Sequence, residues 1–141
     1  MLDVHLNTLL TLDPKGRIAL PSRVRQALTE HGINGLVCIT HRDHLRIYTR
    51  ADFKAFVEAP LLGRDSFDPV VERQQRLRLG FAVEVTLDSQ GRFVLPSNLR
   101  TRLGLERDIV LISVAERIEL WNAERLEAWL ARALDEEAGV A

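Results

Sequence analysis

A chain of 141 residues with 46% hydrophobic and 28% charged side chains and a net charge of −1 has the make-up of a globular protein, either one domain or two very small ones. No apolar run approaches the roughly 18 residues of a membrane helix, and the start, MLDVHLNTLLTLDPKGR, carries Asp3 and no basic stretch ahead of its apolar residues. Neither a membrane span nor a secretory signal is expected, and the cytoplasm is the expected compartment.

In chain order, residues 6–12 form the first strand candidate. Asp13-Pro14-Lys15-Gly16 then reads as a turn. Asp suits its first position, the fixed φ of proline its second, and glycine the left-handed place at its end. Residues 17–20 are the return strand of a hairpin, and Pro21 opens a short helix ended by Gly32. Residues 36–40 and 45–48 are two short strands. Cys38, the only cysteine, lies in the first of them within LVCIT, which reads as a small core residue; an intramolecular disulfide is excluded. A helix follows Thr49-Arg50-Ala51-Asp52, a capping box with Asp in the usual Glu place. The connector contains DPVVERQQRLRLG: Asp68 as cap, Pro69 at the first helical position and Gly80 just past the end predict a helix of about three turns, with Arg73, Arg76 and Arg78 on a solvated face or, in the alternative, in contact with DNA or another subunit.

The chain then repeats itself. TLDPKGRIALPSRVRQAL (11–28) and TLDSQGRFVLPSNLRTRL (86–103) share ten of 18 positions at an offset of 75. VCITHRDHLRIYTRADFKAFV (37–57) lies over VLISVAERIELWNAERLEAWL (110–130) at an offset of 73, which matches Tyr48 with Trp121 and Phe56 with Trp129 and makes all four expected core residues. Asp88-Ser89-Gln90-Gly91 repeats the turn without its proline, residues 92–95, 109–113 and 117–121 repeat the strands, Gly104 ends the short helix, and Asn122 caps the last one. The expected organisation is a first module at 1–58, a helical connector at 59–80, a second module at 81–134 and a short acidic tail at 135–141. A module of roughly 50 residues buries little core alone, so the two halves are expected to be packed or interleaved.

Charge is uneven along the chain. Residues 1–80 carry 12 Lys and Arg against 9 Asp and Glu, and residues 81–141 carry 7 against 11, so a phosphate-facing surface is expected mainly from the first half. Lys15 at the tip of the first turn, Arg17 one residue past it, Arg23 and Arg25 on the next helix, and Arg92 are the candidate DNA-binding residues. The arginine fork suits phosphate or the O6/N7 edge of guanine. Asp13, Gly16, Asp88 and Gly91 are read as structural turn residues, with Asp13–Arg17 and Asp88–Arg92 able to pair; Arg25 and Arg100 share a helix position that suits packing as well as contact. The second module has Gln90 for Lys15 and Asn98 for Arg23, which makes the first module the expected main DNA surface. No catalytic set emerges, since Ser22 and Ser97 sit beside prolines without a glycine elbow. His41-Arg42-Asp43-His44 lacks further metal ligands, and no cofactor is expected.

The segments LDPKGRIALPSRVRQAL, LDSQGRFVLPSNLRTRLGL, RIELWNAERLEAW and QRLRLGFAVEV resemble the MraZ family of bacterial transcription factors over nearly the whole chain. Two D-x-x-G-R motifs, each followed by a strand and a proline, carry the resemblance. It implies an α+β, mainly β fold in which two AbrB-like (SpoVT/AbrB) modules form a pseudo-symmetric swapped-hairpin β-barrel flanked by short helices. It also implies a non-enzymatic, nucleoid-associated regulator whose partners are double-stranded DNA and further copies of itself, arranged as a ring on repeated boxes upstream of the division and cell-wall gene cluster. The start MLDVHLNTL departs from the F-x-G that family members commonly carry there. The alternative is an AbrB-like antitoxin or scaffold module that binds a protein; such chains usually have one module and a separate partner-binding tail, against two modules and only DEEAGVA here.

Overall fold

The computed structural model of the protein describes residues 4–140. Met1 to Asp3, part of the atypical start, and Ala141 lie outside the described residues. The first half runs β1 (Asn7–Thr11), β2 (Arg17–Ala19), α1 (Ser22–Glu30), β3 (Gly35–His41) and β4 (His44–Thr49). Helix α2 begins as Arg50–Phe53, widens to π-helix at Lys54–Glu58 and closes on Ala59–Leu61; α3 runs Pro69–Gln75 and continues as π-helix through Arg76–Gly80. The second half is β5 (Val83–Thr86), β6 (Arg92–Val94), α4 (Ser97–Leu103), β7 (Asp108–Val114), β8 (Arg117–Asn122) and α5 (Ala123–Val140). The expected helix starts carry side-chain caps: Thr49 Oγ1 accepts from Asp52 N–H at 3.1 Å, Asp68 Oδ1 from Val70 N–H at 2.9 Å and Asn122 Oδ1 from Arg125 N–H at 3.0 Å. The segment expected as a tail continues α5 instead, since nothing between Asp135 and Gly139 breaks a helix that Asn122 has started.

The fold is α+β and mainly β. Six strands form an antiparallel sheet in the order β1-β7-β8-β4-β3-β5, and β2 pairs with β6 in a separate two-stranded ribbon. The expected hairpin between 6–12 and 17–20 does not form as a ladder. The turn closes locally, with Gly16 N–H on Asp13 O at 2.9 Å and Asp13 N–H on Arg17 O at 3.0 Å, but β1 then pairs with β7 and β2 with β6, both of the other module. The physical reason is burial: Ile18 and Phe93 face each other across the ribbon, fully buried, and neither module has an inner surface large enough to cover its own copy. The sheet edges β1 and β5 each lead through a D-x-x-G turn into the ribbon. The main core therefore mixes Ile18, Leu20, Val24 and Leu28 of the first half with Phe93, Leu95, Leu99 and Leu103 of the second. Among the described residues no helix is long and apolar enough to cross a membrane.

The strand order is the same read from either edge once the halves are exchanged, which defines a pseudo-dyad between β4 and β8. Arg46 and Glu119, equivalent at the offset of 73, face each other on that axis. Glu119 is buried there. Its carboxylate accepts Arg117 Nε at 2.7 Å and Trp121 Nε1 at 2.9 Å, and His44 Nε2 lies 3.3 Å away, its ring stacked on Trp121 with centroids 4.5 Å apart. The expectation of four core aromatics is corrected by half: Tyr48 and Trp121 are buried, but Phe56 and Trp129 stay 47% and 46% exposed because α2 and α5 turn that side outward.

Two predictions follow from this interior. Cys38 is fully buried, and burial pushes its thiol up to about 12. Cys38→Ser should lower stability in urea by roughly 1–3 kcal/mol, the cost of an added hydroxyl in an apolar site, and leave DNA affinity nearly unchanged; lost affinity at unchanged stability would contradict the core role. Burial alone would raise the Glu119 carboxyl from its ordinary 4.5, but the hydrogen bonds from His44, Trp121 and Arg117 outweigh it and hold it at about 2. The folded state thus favours the ionised form, so its contribution is complete above pH 4.5 and disappears as the pH falls toward 2. Urea midpoints of the wild type should drop over that interval, and those of Glu119→Gln should drop less.

Candidate nucleic-acid interface

The ribbon has two different faces because side chains alternate along a strand. Ile18 and Phe93 point into the core, so Arg17, Ala19, Arg92 and Val94 point out. The register sets Arg17 opposite Val94 and Ala19 opposite Arg92. The two motif arginines therefore share one outer face in a pseudo-two-fold arrangement. Lys15 is exposed at the tip of the first turn, with Gln90 at the matching tip of the second.

Each turn is built by its aspartate. Asp13 Oδ1 accepts Lys15 N–H at 3.0 Å and Arg17 N–H at 2.8 Å, while Oδ2 accepts Arg17 Nε at 2.6 Å. Asp88 does the same with Gln90 N–H at 2.8 Å, Arg92 N–H at 2.9 Å and Arg92 Nε at 3.0 Å. Backbone hydrogen bonds, first that of Arg17 for Asp13 and that of Arg92 for Asp88, push both carboxyls below their ordinary value. Each aspartate thus stays ionised, holds its arginine by Nε, and aims the rest of a side chain that remains 36% exposed in Arg17 and 32% in Arg92. The pairing of Asp13 with Arg17 and of Asp88 with Arg92 coexists with an exposed guanidinium in each.

Two arginines link the two turns. Arg25, on α1, reaches the second turn, where its Nη1 donates to Gln90 O at 3.3 Å and its stem lies over Gly91; a Cβ at Gly91 would come within 1.9 Å of Arg25 Cδ. Arg100, on α4, crosses the other way: its Nε donates to Leu95 O at 3.1 Å and its guanidinium covers Gly16, where a Cβ would lie 2.9 Å from Cζ. Gly16 and Gly91 also have φ of +82° and +72°, which L side chains adopt only under strain. The repeat of Arg25 at Arg100 was the one signal of this in the sequence. Arg23 lies on the exposed side of α1, and Arg17, Arg25, Arg92 and Arg100 all reach one or the other of the two turns. Among the described residues no group of three or more His, Cys, Asp or Glu is placed to hold a metal.

Such a molecule is a strand-exchanged tandem repeat that carries a basic two-stranded ribbon. The family described as "MraZ protein, putative antitoxin-like" matches it twice, over residues 7–77 and 79–139. Among similar curated proteins, one of Chromobacterium violaceum is 39% identical over 128 residues, covering 90% of this chain and 86% of its own. One of Legionella pneumophila is 39% identical over 133 residues, covering 93% and 87%, and one of Thioalkalivibrio sulfidiphilus is 40% identical over 116 residues, covering 82% and 77%. All three are named transcriptional regulator MraZ. The chain belongs to the MraZ family.

The crossing arginines give a stability prediction. Gly16→Ala should cost about 1–2 kcal/mol through its φ alone, because the far end of Arg100 can move aside. Gly91→Ala should cost more, since the stem of Arg25 is in the way. Adding Arg25→Ala should recover part of that excess in a double-mutant cycle by urea unfolding. Additive losses would mean that Arg25 does not press on this turn.

Proposed function

We propose that the chain is a non-enzymatic, sequence-specific DNA-binding transcription regulator that works in the cytoplasm at the nucleoid. Its ribbon lies in the major groove, and it acts as a ring-like homo-oligomer on repeated promoter boxes, those of the division and cell-wall gene cluster. The observation that carries this reading is the outer face of β2–β6, with Arg17 and Arg92 presented from one two-stranded ribbon. The major groove, about 12 Å wide, admits a two-stranded ribbon, and an arginine fork pairs with guanine O6/N7 there. Lys15 at the first turn tip, Arg25 and Arg100 over the two turns and Arg23 on the exposed side of α1 supply phosphate contacts despite the net charge of −1. The names of the relatives point the same way. An antitoxin-like role, which the family description mentions, calls for a surface that captures a protein; the ribbon face is basic, with Val94 its one large apolar side chain.

The test is fluorescence anisotropy with promoter and random duplexes across a salt series, with circular dichroism as the folding control. Arg17→Lys keeps the charge but loses the fork, so it should cost roughly 1–3 kcal/mol on promoter DNA and little on random DNA. Lys15→Ala should weaken both alike and reduce the salt slope by about 0.9 for a single lost phosphate contact. Arg92→Ala should weaken promoter binding less than Arg17→Ala, because its turn lacks the lysine. A folded Arg17→Ala protein that binds promoter DNA like wild type would sink the reading of the ribbon.

A further inference from the structure

The pseudo-symmetry fails at the outer helices, and the failure leaves a face bare. Helices α2 and α5 are equivalent, and Phe53, Val57 and Leu61 on α2 match Leu126, Leu130 and Leu134 on α5 at the offset of 73, each an i, i+4, i+8 stripe. On α2 this stripe is covered by α3. Val57 and Leu61 are buried, as is Val71 on the covering side of α3, and Gln75 Nε2 donates to Leu61 O at 3.0 Å. Among the described residues nothing lies over the α5 stripe as α3 lies over that of α2, and Leu130 is 39% exposed and Leu134 57%.

Helix α3 meanwhile has a second apolar stripe on its outer side. Val70 and Leu77 on it and Phe81 just past its end, spaced seven and four apart, are between 49% and 61% exposed. The two helices carry opposite net charge. Helix α3 carries three arginines against Glu72, and α5 carries five acidic residues against Arg125 and Arg132. Arg73 stands in line with the α3 stripe, three residues after Val70; Glu127 and Glu137 stand in line with the α5 stripe, three residues before Leu130 and three after Leu134. The end of α5 holds Asp135, Glu136 and Glu137 with no basic residue in its last turn, the wrong sign for the negative end of a helix dipole. A basic partner surface would relieve this.

We propose that the bare face of α5 in one copy is covered by the outer face of α3 in the next. The contact covers the stripe of α5 with the outer side of α3, as the inner side of the same helix covers that of α2. It is heterologous, with each copy offering one of each face, so it propagates and closes into a ring if the rotation per copy closes. The inference rests on the self-association in the proposed function and adds the surfaces that make it.

The test uses two full-length variants at exposed positions, Leu134→Lys on α5 and Leu77→Lys on α3, each checked by circular dichroism and thermal unfolding. The mass is read by light scattering after gel filtration. Each variant alone should associate about tenfold more weakly or worse than wild type, the loss expected from one buried leucine replaced by a charge, and run toward 16.0 kDa. Mixed in equal amounts they should form a species of twice 16.0 kDa and nothing larger, because the mixture holds one good α3–α5 contact per pair. As a second variant with no new apolar loss, Arg73→Glu should weaken assembly and Glu127→Arg added to it should restore assembly. Assembly of Leu77→Lys like wild type, with loss only in Leu134→Lys, would mean that α5 meets something other than α3 and would overturn the proposal. Assembly of both variants like wild type, or a mixture that stays at 16.0 kDa, would also overturn the contact while leaving self-association standing. A wild-type monomer would end both.

Discussion

The structure depends on one buried pair, Ile18 of β2 against Phe93 of β6. These strands are three residues long, and a strand has a period of two. Burying the central residue of each therefore sends both neighbours of each to the other face. Arg17, Ala19, Arg92 and Val94 are outside because Ile18 and Phe93 are inside. A slip of one residue in either strand would bury its arginine and expose its core residue, a cost far beyond what so short a ribbon could return, so the register is set by the core and not by the ribbon's own few hydrogen bonds. The same pair commits the two modules to each other. Once β2 belongs with β6, each D-x-x-G turn has to carry its chain from an edge of the large sheet into a ribbon shared with the other half.

The turns survive that strain because their hydrogen bonds are local. One aspartate accepts two backbone N–H groups and an arginine Nε, so the loop is held without help from the diverging strands. Glycine allows the left-handed closure, and its missing Cβ is the space through which the other module's arginine passes. Arg25 and Arg100 thus hold the turns from outside, and Asp13 and Asp88 hold them from within. The outward arginines are aimed by groups that are themselves fixed, which a recognition surface needs if geometry and not charge alone is to discriminate between bases.

The individual elements were legible in the sequence wherever their cause is local. The Asp-Pro-Lys-Gly turn, the caps Thr49, Asp68 and Asn122 and the stop at Gly104 all act within a few residues. The repeat was legible too, and with it the need of each half for the other. The partner of each strand was not. An apolar strand beside a tight turn looks like half of a hairpin, and the choice of β7 over β2 as partner for β1 is made by core surface about a hundred residues along the chain. For the same reason Phe56 and Trp129 looked like core: a matched aromatic pair says that two positions are equivalent, and says nothing about which side of the helix the rest of the molecule covers. Of the basic cluster proposed to meet DNA, only part lies on motifs. Lys15, Arg17 and Arg92 sit on motifs, whereas the approach of Arg100 to the first turn depends on how α4 crosses the ribbon.

Fusion of the two modules into one chain has its clearest physical effect on the pseudo-dyad. In an assembly of two identical modules, whatever stands on the axis meets its own copy, and like charges opposite each other in adjacent strands are destabilising. Here the axis position holds Arg46 in one half and Glu119 in the other, with Arg46 Nε 3.9 Å from Glu119 Oε2. Only independent variation of the two copies can place opposite charges there. The carboxylate then gathers Arg117, Trp121 and His44 around it, a buried polar cluster that two identical modules could not have assembled in this form. The same independence lets Lys15 stand where the other half has Gln90, and lets α3 cover one helix stripe and leave its twin open. The shared ribbon demands symmetry, while the axis, the turn tips and the helices around it are free of that demand. Those are the places where the two halves differ.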